Sequence, residues 1–182
     1  DSTNAMVEGH SGSEAEVRAS LTDLIKGLKG RVAVTCFASN VARMESIAVA
    51  GRAAGRQVAL LGRSLRNMDA SARECGYLKS LPPFLDEEEA GFLPDDEILL
   101  ICTGSQGEPR SAMAKIAEDK HPAIALGEGD TVIFSSRQIP GNEVAIQCVQ
   151  DGLVRRGCRV ITDEQAMVHV SGHPARDELR RL

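Results

Sequence analysis

Short, largely apolar segments alternate along this chain with segments of helical periodicity, and this alternation constrains the fold more than any other feature. The segment Val32 to Phe37 shows no regular alternation of apolar and polar residues, which is typical of a strand covered on both faces. Strands of this kind, connected by helices, form parallel sheets. We predict about six short strands, at 32–37, 57–61, 97–102, 131–134, 159–161 and 167–169.

Helical patterns separate these predicted strands. Ser13 and Glu16 form a capping box, after which apolar residues recur at helical spacing until Gly30. Further helices are predicted over 41–54, from about 110, over 144–153 and from 174.

The middle of the chain, 64–96, has a less regular pattern. Pro82-Pro83 and the acidic run 86–89 interrupt it, and a charge run of this kind indicates a solvated surface without a function. The predicted fold is α/β, with a three-layer arrangement of a mostly parallel open sheet and helices on both faces. We expect one domain over 1–182, with 1–12 as a junction segment.

Charge and cysteine content limit the possible functions. The formal net charge of -5 argues against a protein that holds nucleic acid through a basic surface alone, because that affinity scales with the number of phosphates neutralised. Any contact with nucleic acid must therefore be local. The 5 cysteines include no C-x-x-C pair, which favours reduced core thiols in a cytoplasmic protein over metal ligands or disulfides. No apolar stretch approaches the length of a membrane span.

Small polar residues concentrate in four segments that follow predicted strands. In an open parallel sheet, ligands bind outside the carboxyl ends of the strands. Hydroxyl groups, backbone N–H groups and helix N-termini can bind phosphate oxygens there without a large net charge. The sequence therefore predicts a phosphate-binding edge. Its segments are Ala38-Ser39-Asn40, Thr103 to Gly107, Ser135-Ser136-Arg137 and His169 to His173.

Three of these segments also have a structural interpretation. Thr103 to Gly107 lacks the Gly-Lys-Ser/Thr ending of a Walker A loop, so it can equally be a plain turn between a strand and a helix. Ser39-Asn40 can be the N-cap of the second helix or a ligand-binding pair. The same two alternatives apply to Ser135 to Arg137.

The fourth segment contains two histidines at the spacing of one helical face. Ser171-Gly172 between His169 and His173, with Pro174 after them, indicates instead a turn that enters a helix. A paired-histidine zinc site would need further ligands, and the remaining histidines are His10 and His121. We therefore expect no metal site within the chain.

Six strings of residues resemble, in this order, the bacterial ribonuclease J family, whose members carry a β-CASP insertion in a metallo-β-lactamase fold. The strings T-G-S-Q-G-E-P and S-S-R-x-I-P-G-N-E are together highly specific. The six strings are Asp1 to Ala5, Phe37 to Arg43, Gly62-Arg63-Ser64, Thr103 to Pro109, Ile133 to Glu143 and His169 to His173.

The resemblance implies a Rossmann-like β-CASP domain and assigns roles to matching residues. Asp1 matches the first β-CASP motif acid, which buttresses a metal-binding histidine, and His173 matches the second motif residue, placed beside the scissile phosphate. An imidazole there can donate a proton to the leaving oxygen. The implied substrate-binding residues are Ala38, Ser39, Asn40, His169, Val170, Ser171, Gly172 and His173.

The chain departs from the family's pattern where the metals bind. The H-x-H-x-D-H string that holds two zinc ions is absent, as is the third β-CASP motif histidine. We therefore expect an excised domain that binds no metal and cleaves no RNA by itself. For the intact enzyme, the resemblance implies zinc-dependent endonuclease and 5′ to 3′ exonuclease action on RNA with a 5′-monophosphate end.

The expected partners are RNA, the metallo-β-lactamase domain of the same parent chain and, in a homo-oligomer, further copies of the enzyme. We expect a cytoplasmic location without membrane contact. Two alternatives stay open: a stand-alone phosphate- or nucleotide-binding α/β module, and a β-CASP nuclease that acts on DNA.

Overall fold

A computed structural model of the chain describes residues 3–181. Its strands are β1 Val32–Thr35, β2 Gln57–Leu61, β3 Ile98–Cys102, β4 Thr131–Phe134 and β5 Arg159–Ile161. All pair in parallel in one open sheet with the order β2-β3-β1-β4-β5. In the central strand, Val34 lies opposite Ile101 of β3 and Ile133 of β4.

Helices cover both faces of this sheet. They are α1 Glu14–Lys26, α2 Val41–Ala53, α3 Arg63–Glu74, α4 Glu87–Gly91, α5 Ala112–Ala117, α6 Glu143–Arg155 and α7 Arg176–Leu179, with a 3₁₀ turn at Asp95–Glu97. Side chains alternate along each strand, so Val34 packs with α1, α2 and α3, whereas Ala33 packs with α4, α5 and α6. The predicted three-layer α/β fold is confirmed.

The predicted sixth strand, 167–169, is not a strand in the structure. Val168 is fully buried, but its carbonyl accepts hydrogen bonds from the side chains of Arg43 and Ser135, and its N–H donates to Ala166. Because its backbone groups are used in these contacts, this segment does not join the sheet ladder.

The structure also contains two helices that the pattern missed, α3 and the short α4. The stretch predicted to be irregular begins with α3, which buries only Leu65 and Ala72. Leu65, Met68 and Ala72 recur at helical spacing, so the periodic signal was present but lay in an otherwise polar stretch. The first helix ends at Lys26 with Gly27 as its C-cap, earlier than the predicted Gly30, and the short helix α5 begins at Ala112 behind Ser111 as its N-cap.

The cysteines are all free thiols, but only three of them belong to the core. Cys36, Cys102 and Cys158 are buried, whereas Cys75 and Cys148 are exposed, so the expectation of core thiols is wrong for these two. Burial raises the pKa of Cys36 to about 12 and that of Cys158 to about 11, so both remain protonated at neutral pH. Within residues 3–181, the helices include none with the length and apolar character needed to cross a membrane.

Candidate functional site

Asn40 lies where the chain leaves β1 and starts α2. Its side chain accepts a hydrogen bond from the backbone N–H of Arg43 at 3.0 Å, which confirms the N-cap interpretation for this residue. Ser39 beside it is exposed, and Ala38 is half-buried against the core. The segment 38–40 therefore combines a capped helix N-terminus with one free hydroxyl group.

The capping role predicts a moderate stability effect. Asn40→Ala should lower the free energy of unfolding by about 1 kcal/mol, because the N–H of Arg43 loses its acceptor. Asn40→Asp is the matched control and should retain most of this stability, since aspartate also caps helices. Urea denaturation of the chain measures both changes. An Asn40→Ala variant as stable as the wild type would contradict the capping role.

Arg43 is fully buried and connects the elements around this edge of the sheet. Its guanidinium binds Glu14 of α1 through two hydrogen bonds, from Nε at 2.8 Å and from Nη2 at 3.0 Å. Nη1 donates to the carbonyl and the hydroxyl of Ser135, at 3.0 and 2.9 Å, and to the carbonyl of Val168 at 3.2 Å. One side chain thus joins α1, α2, the end of β4 and the segment that leads to His169.

The same guanidinium determines how His169 can hydrogen-bond. Nη1 of Arg43 lies 3.3 Å from Nδ1 of His169. Because a guanidinium only donates, Nδ1 must accept and the ring proton lies on Nε2. Burial and the nearby charge of Arg43 lower the pKa of His169, so the neutral form is favoured at pH 7. His169 can therefore offer its Nε2–H as a neutral donor.

Asn4 holds the turn at 171–173 from the other side. Its Nδ2 donates to Oγ of Ser171 and to the carbonyl of His173, both at 2.9 Å. Its Oδ1 accepts from Arg137 at 3.3 Å. Asn4 is 5% exposed, so these contacts form in a largely dry environment. The structure thereby brings together the segment after β4 and the turn at 169–173.

The stretch expected to be a junction packs against the C-terminal part of the chain. The N–H of Arg176 donates to the carbonyl of Val7 at 2.8 Å, and the N–H of Ser11 donates to Glu178 at 3.0 Å. Hydrogen bonds from Ser11 and from the backbone of Ala175 lower the pKa of Glu178 to about 2. The described part of the junction segment therefore supports the turn that carries His173.

Gln106 gives the Thr103 to Gly107 segment a structural role. Its Nε2 donates to the carbonyl of Arg137 at 2.9 Å, and its Oε1 accepts from the N–H of Ile139 at 2.9 Å. Gly107 has φ +73, and a Cβ on it would lie 2.4 Å from the carbonyl carbon of Ala145. These contacts favour the interpretation as a tightly packed turn over that of a phosphate cradle.

The remaining predicted site residues differ in exposure. His173 is exposed, and its N–H donates to Oγ of Ser171 at 3.2 Å. Gly172 is exposed, and Val170 packs partly against the core. Asp1 lies outside the described residues. The described range 3–181 contains no group of three or more His, Cys, Asp or Glu side chains that could hold a metal ion.

Sequence reasoning missed Arg43 and Asn4 as site residues. Arg43 occurs in the F-A-S-N-V-A-R string, but nothing in a helical sequence indicates that one arginine is buried. Asn4 lies 167 residues from Ser171 along the chain, so only the fold pairs them. Arg137, which belongs to the predicted edge segment 135–137, is exposed beside Asn4 and adds a cation to this edge.

The fold and this edge define the class of protein: an open parallel α/β domain whose strand ends carry a cross-linked cluster of hydroxyl, imidazole and guanidinium groups. The family model of the ribonuclease J β-CASP domain matches residues 29–153. The chain belongs to the ribonuclease J family, as a β-CASP domain.

Relatives along the whole chain agree with this assignment. The chain is 51% identical over 182 residues to ribonuclease J of Sinorhizobium meliloti and covers 32% of that protein. It is 49% identical over 181 residues to ribonuclease J of Mycolicibacterium smegmatis, with 98% of the chain and 32% of the relative covered. For ribonuclease J of Thermus thermophilus the identity is 41% over 182 residues, again with 32% of the relative covered. The chain thus spans about a third of the length of these relatives.

Proposed function

We propose that this β-CASP domain binds the RNA substrate of a zinc-dependent hydrolase with endonuclease and 5′ to 3′ exonuclease action. The observation that carries the proposal is the cross-linked edge, where Arg43 and Asn4 hold the segments 38–40, 135–137 and 169–173 together. The names of the relatives favour RNA over DNA as the substrate. We propose that this edge recognises the 5′-monophosphate end of the RNA.

In this proposal, neutral donors bind the phosphate oxygens. Ser39 contributes its exposed hydroxyl and His169 its Nε2–H, while the N–H groups at 170–172 approach the ligand from the turn. Arg137 adds one positive charge at the rim. The exposed ring of His173 donates a proton or a hydrogen bond at the leaving oxygen. Asp1 keeps its proposed role as a support for a metal-binding histidine.

The residues at 3–181 do not fit the two zinc ions that the family resemblance implies, since they form no cluster of ligands. We propose that the zinc ligands belong to the metallo-β-lactamase domain of the intact enzyme, a cytoplasmic homo-oligomer. The present chain alone would then bind no catalytic metal and cleave no RNA. The roles proposed for Ser39, His169 and His173 require no contact with the metal ions.

Substitution of two serines tests the proposed RNA site. In the intact protein, made inactive at its metal ligands, Ser39→Ala should weaken binding of 5′-phosphorylated RNA by about 10-fold or more, because the variant cannot form one hydrogen bond to a charged group. Ser171→Ala should also weaken binding, because Oγ of Ser171 holds the turn by accepting from Asn4 and from the N–H of His173. The slope of log affinity against log salt should stay the same, since neither variant removes a charge. Fluorescence anisotropy across a salt series measures both quantities.

Ser80→Ala, at an exposed serine away from this edge, is the matched control and should bind RNA like the wild type. Unchanged RNA affinity in both site variants would reject the proposed RNA site.

A further inference from the structure

A second cavity lies at the carboxyl edge, beside β2 and β3, with a volume of about 850 Å³. Gly62, Arg63 and Ser64, one of the strings that carried the family resemblance, line one side of it. Arg110 and Lys115 line the other side. We call this cavity the Arg63 pocket.

The floor of the Arg63 pocket is tightly packed. Gly62 has φ +115, and a Cβ on it would lie 2.5 Å from Oγ1 of Thr103. Oγ1 of Thr103 in turn accepts a hydrogen bond from the N–H of Ala112 at 3.0 Å. The ends of β2 and β3 and the start of α5 are therefore held together at the floor of the pocket.

Positive charge dominates this pocket although the chain is acidic. Arg63, Arg110 and Lys115 are exposed, and each lacks an ion-pair partner among the residues that the structure describes. The lining also contains two carboxylates: Glu87 pairs with Arg66 at 2.6 Å, whereas Glu108 accepts only a backbone N–H, that of Gln106, at 3.0 Å.

His121 adds no charge to the pocket at neutral pH. Burial lowers its pKa, and its Nδ1 accepts the N–H of Ile124 at 3.2 Å. The ring proton is therefore on Nε2, which faces Glu87 at 3.6 Å. The three free cations thus outnumber the one lining carboxylate that has no ion-pair partner among the described residues, that of Glu108.

Backbone donors complete the lining. The N-cap of the 12-residue helix α3 is Gly62, which has no side chain to bind the first N–H groups. Gly62, Arg63 and Ser64, which form the start of this helix and the positive end of its dipole, line the pocket. Unpaired guanidinium and ammonium groups beside backbone donors match the oxygens of a phosphate group.

We propose that the Arg63 pocket binds a phosphate group, and specifically a backbone phosphate of the RNA strand held by the neighbouring edge; the RNA assignment rests on the proposed function. Neighbouring strands lie about 4.8 Å apart. Because β3 lies between β1 and β2, the strand ends that border the pocket, at Thr103 and Gly62, lie about 5–10 Å from the end of β1, which the 38–40 segment follows. A single RNA strand bound at that segment can therefore reach the pocket with an adjacent phosphate.

The test compares Arg63→Ala/Arg110→Ala with wild type in the intact protein, made inactive at its metal ligands. Binding of single-stranded RNA should weaken about 10-fold at low salt, and the slope of log affinity against log salt should fall by about 0.7 for each phosphate that the variant no longer neutralises. Arg52→Ala removes an exposed charge from the far end of α2 and should leave both quantities unchanged.

A second measurement distinguishes phosphate binding in the Arg63 pocket from RNA binding at the segments 38–40, 135–137 and 169–173. Titration with inorganic phosphate, followed by NMR at the Ser64 amide, should show saturable binding in the wild type and none in the double variant. Abolished phosphate binding with unchanged RNA affinity would support a phosphate pocket but assign it to a free phosphate compound. If the wild type binds no RNA, the proposed function fails while the phosphate titration still decides the pocket. Unchanged RNA affinity, unchanged salt slope and no phosphate binding would overturn the proposal.

Discussion

In the intact protein, His173→Ala is expected to lower kcat by about 100-fold or more, with a much smaller change in KM. The backbone of His173 is held on both sides, by Oγ of Ser171 and by Nδ2 of Asn4, while the residue itself is exposed. Removal of the ring should therefore leave the turn in place. A group that acts at the leaving oxygen contributes mainly in the transition state, so turnover falls more than affinity.

Steady-state kinetics on a 5′-phosphorylated RNA measures the effect of His173→Ala. His10→Ala is the matched control, because His10 is also exposed but lies near Glu178 rather than at the turn. It should keep wild-type kcat and KM. Near-normal turnover of His173→Ala would show that His173 is a structural residue only.

The second large effect is expected from Arg43→Ala, which should lower the free energy of unfolding by about 3–5 kcal/mol. The substitution leaves Glu14, whose side chain is 27% exposed, without its cation. It also removes the donors that the carbonyls of Ser135 and Val168 use. Because Glu14 retains some solvent contact, we expect the lower part of this range.

Urea denaturation of the chain tests the Arg43 prediction. Arg18→Ala is the matched control: Arg18 pairs with Glu45 at 3.2 Å, but both side chains are more than a third exposed, at 38% and 36%. Such surface pairs contribute about 0–1 kcal/mol. If Arg43→Ala lowers the free energy of unfolding by less than about 1 kcal/mol, Arg43 does not hold α1, the end of β4 and the segment before His169 together.

Amide hydrogen exchange distinguishes a local effect of Arg43 on residues 168–173 from an effect on the stability of the whole domain. Arg43→Lys keeps the charge but cannot reproduce the forked geometry of the guanidinium. Amide hydrogen exchange at 168–173 should accelerate in this variant more than exchange in β1. Equal acceleration in both regions would indicate that Arg43 supports the core as a whole rather than the turn that carries His169 and His173.

Local sequence patterns predicted the parts of this protein that depend on neighbouring residues. The run Val32 to Phe37 predicted a strand buried on both faces, because apolar residues without alternation leave neither face for water. The capping box of Ser13 and Glu16 predicted the start of α1 for a similar reason, since both partners lie within one helical turn. The strings T-G-S-Q-G-E-P and S-S-R-x-I-P-G-N-E predicted the family.

Local patterns failed where distant contacts outweighed them. The apolar segment 167–169 has the composition of a strand, but Arg43 and Ser135 bind the carbonyl of Val168. The helix α3 was missed for a different reason: Leu65, Met68 and Ala72 have helical spacing, but they lie in an otherwise polar stretch. In the segment 167–169, tertiary contacts of a few side chains determined the backbone conformation.

The amino-acid sequence alone determined the three-layer class, the small polar character of the strand ends and the family, since these depend on periodicity and on short strings. Only the tertiary structure decided that Arg43 is buried between Glu14 and Val168, and that Asn4 binds a turn 167 residues away. The cations of the Arg63 pocket likewise come from α3, α5 and the loop before α5. Contacts between distant segments have no local signature, because their geometry exists only once the sheet has aligned its strand ends.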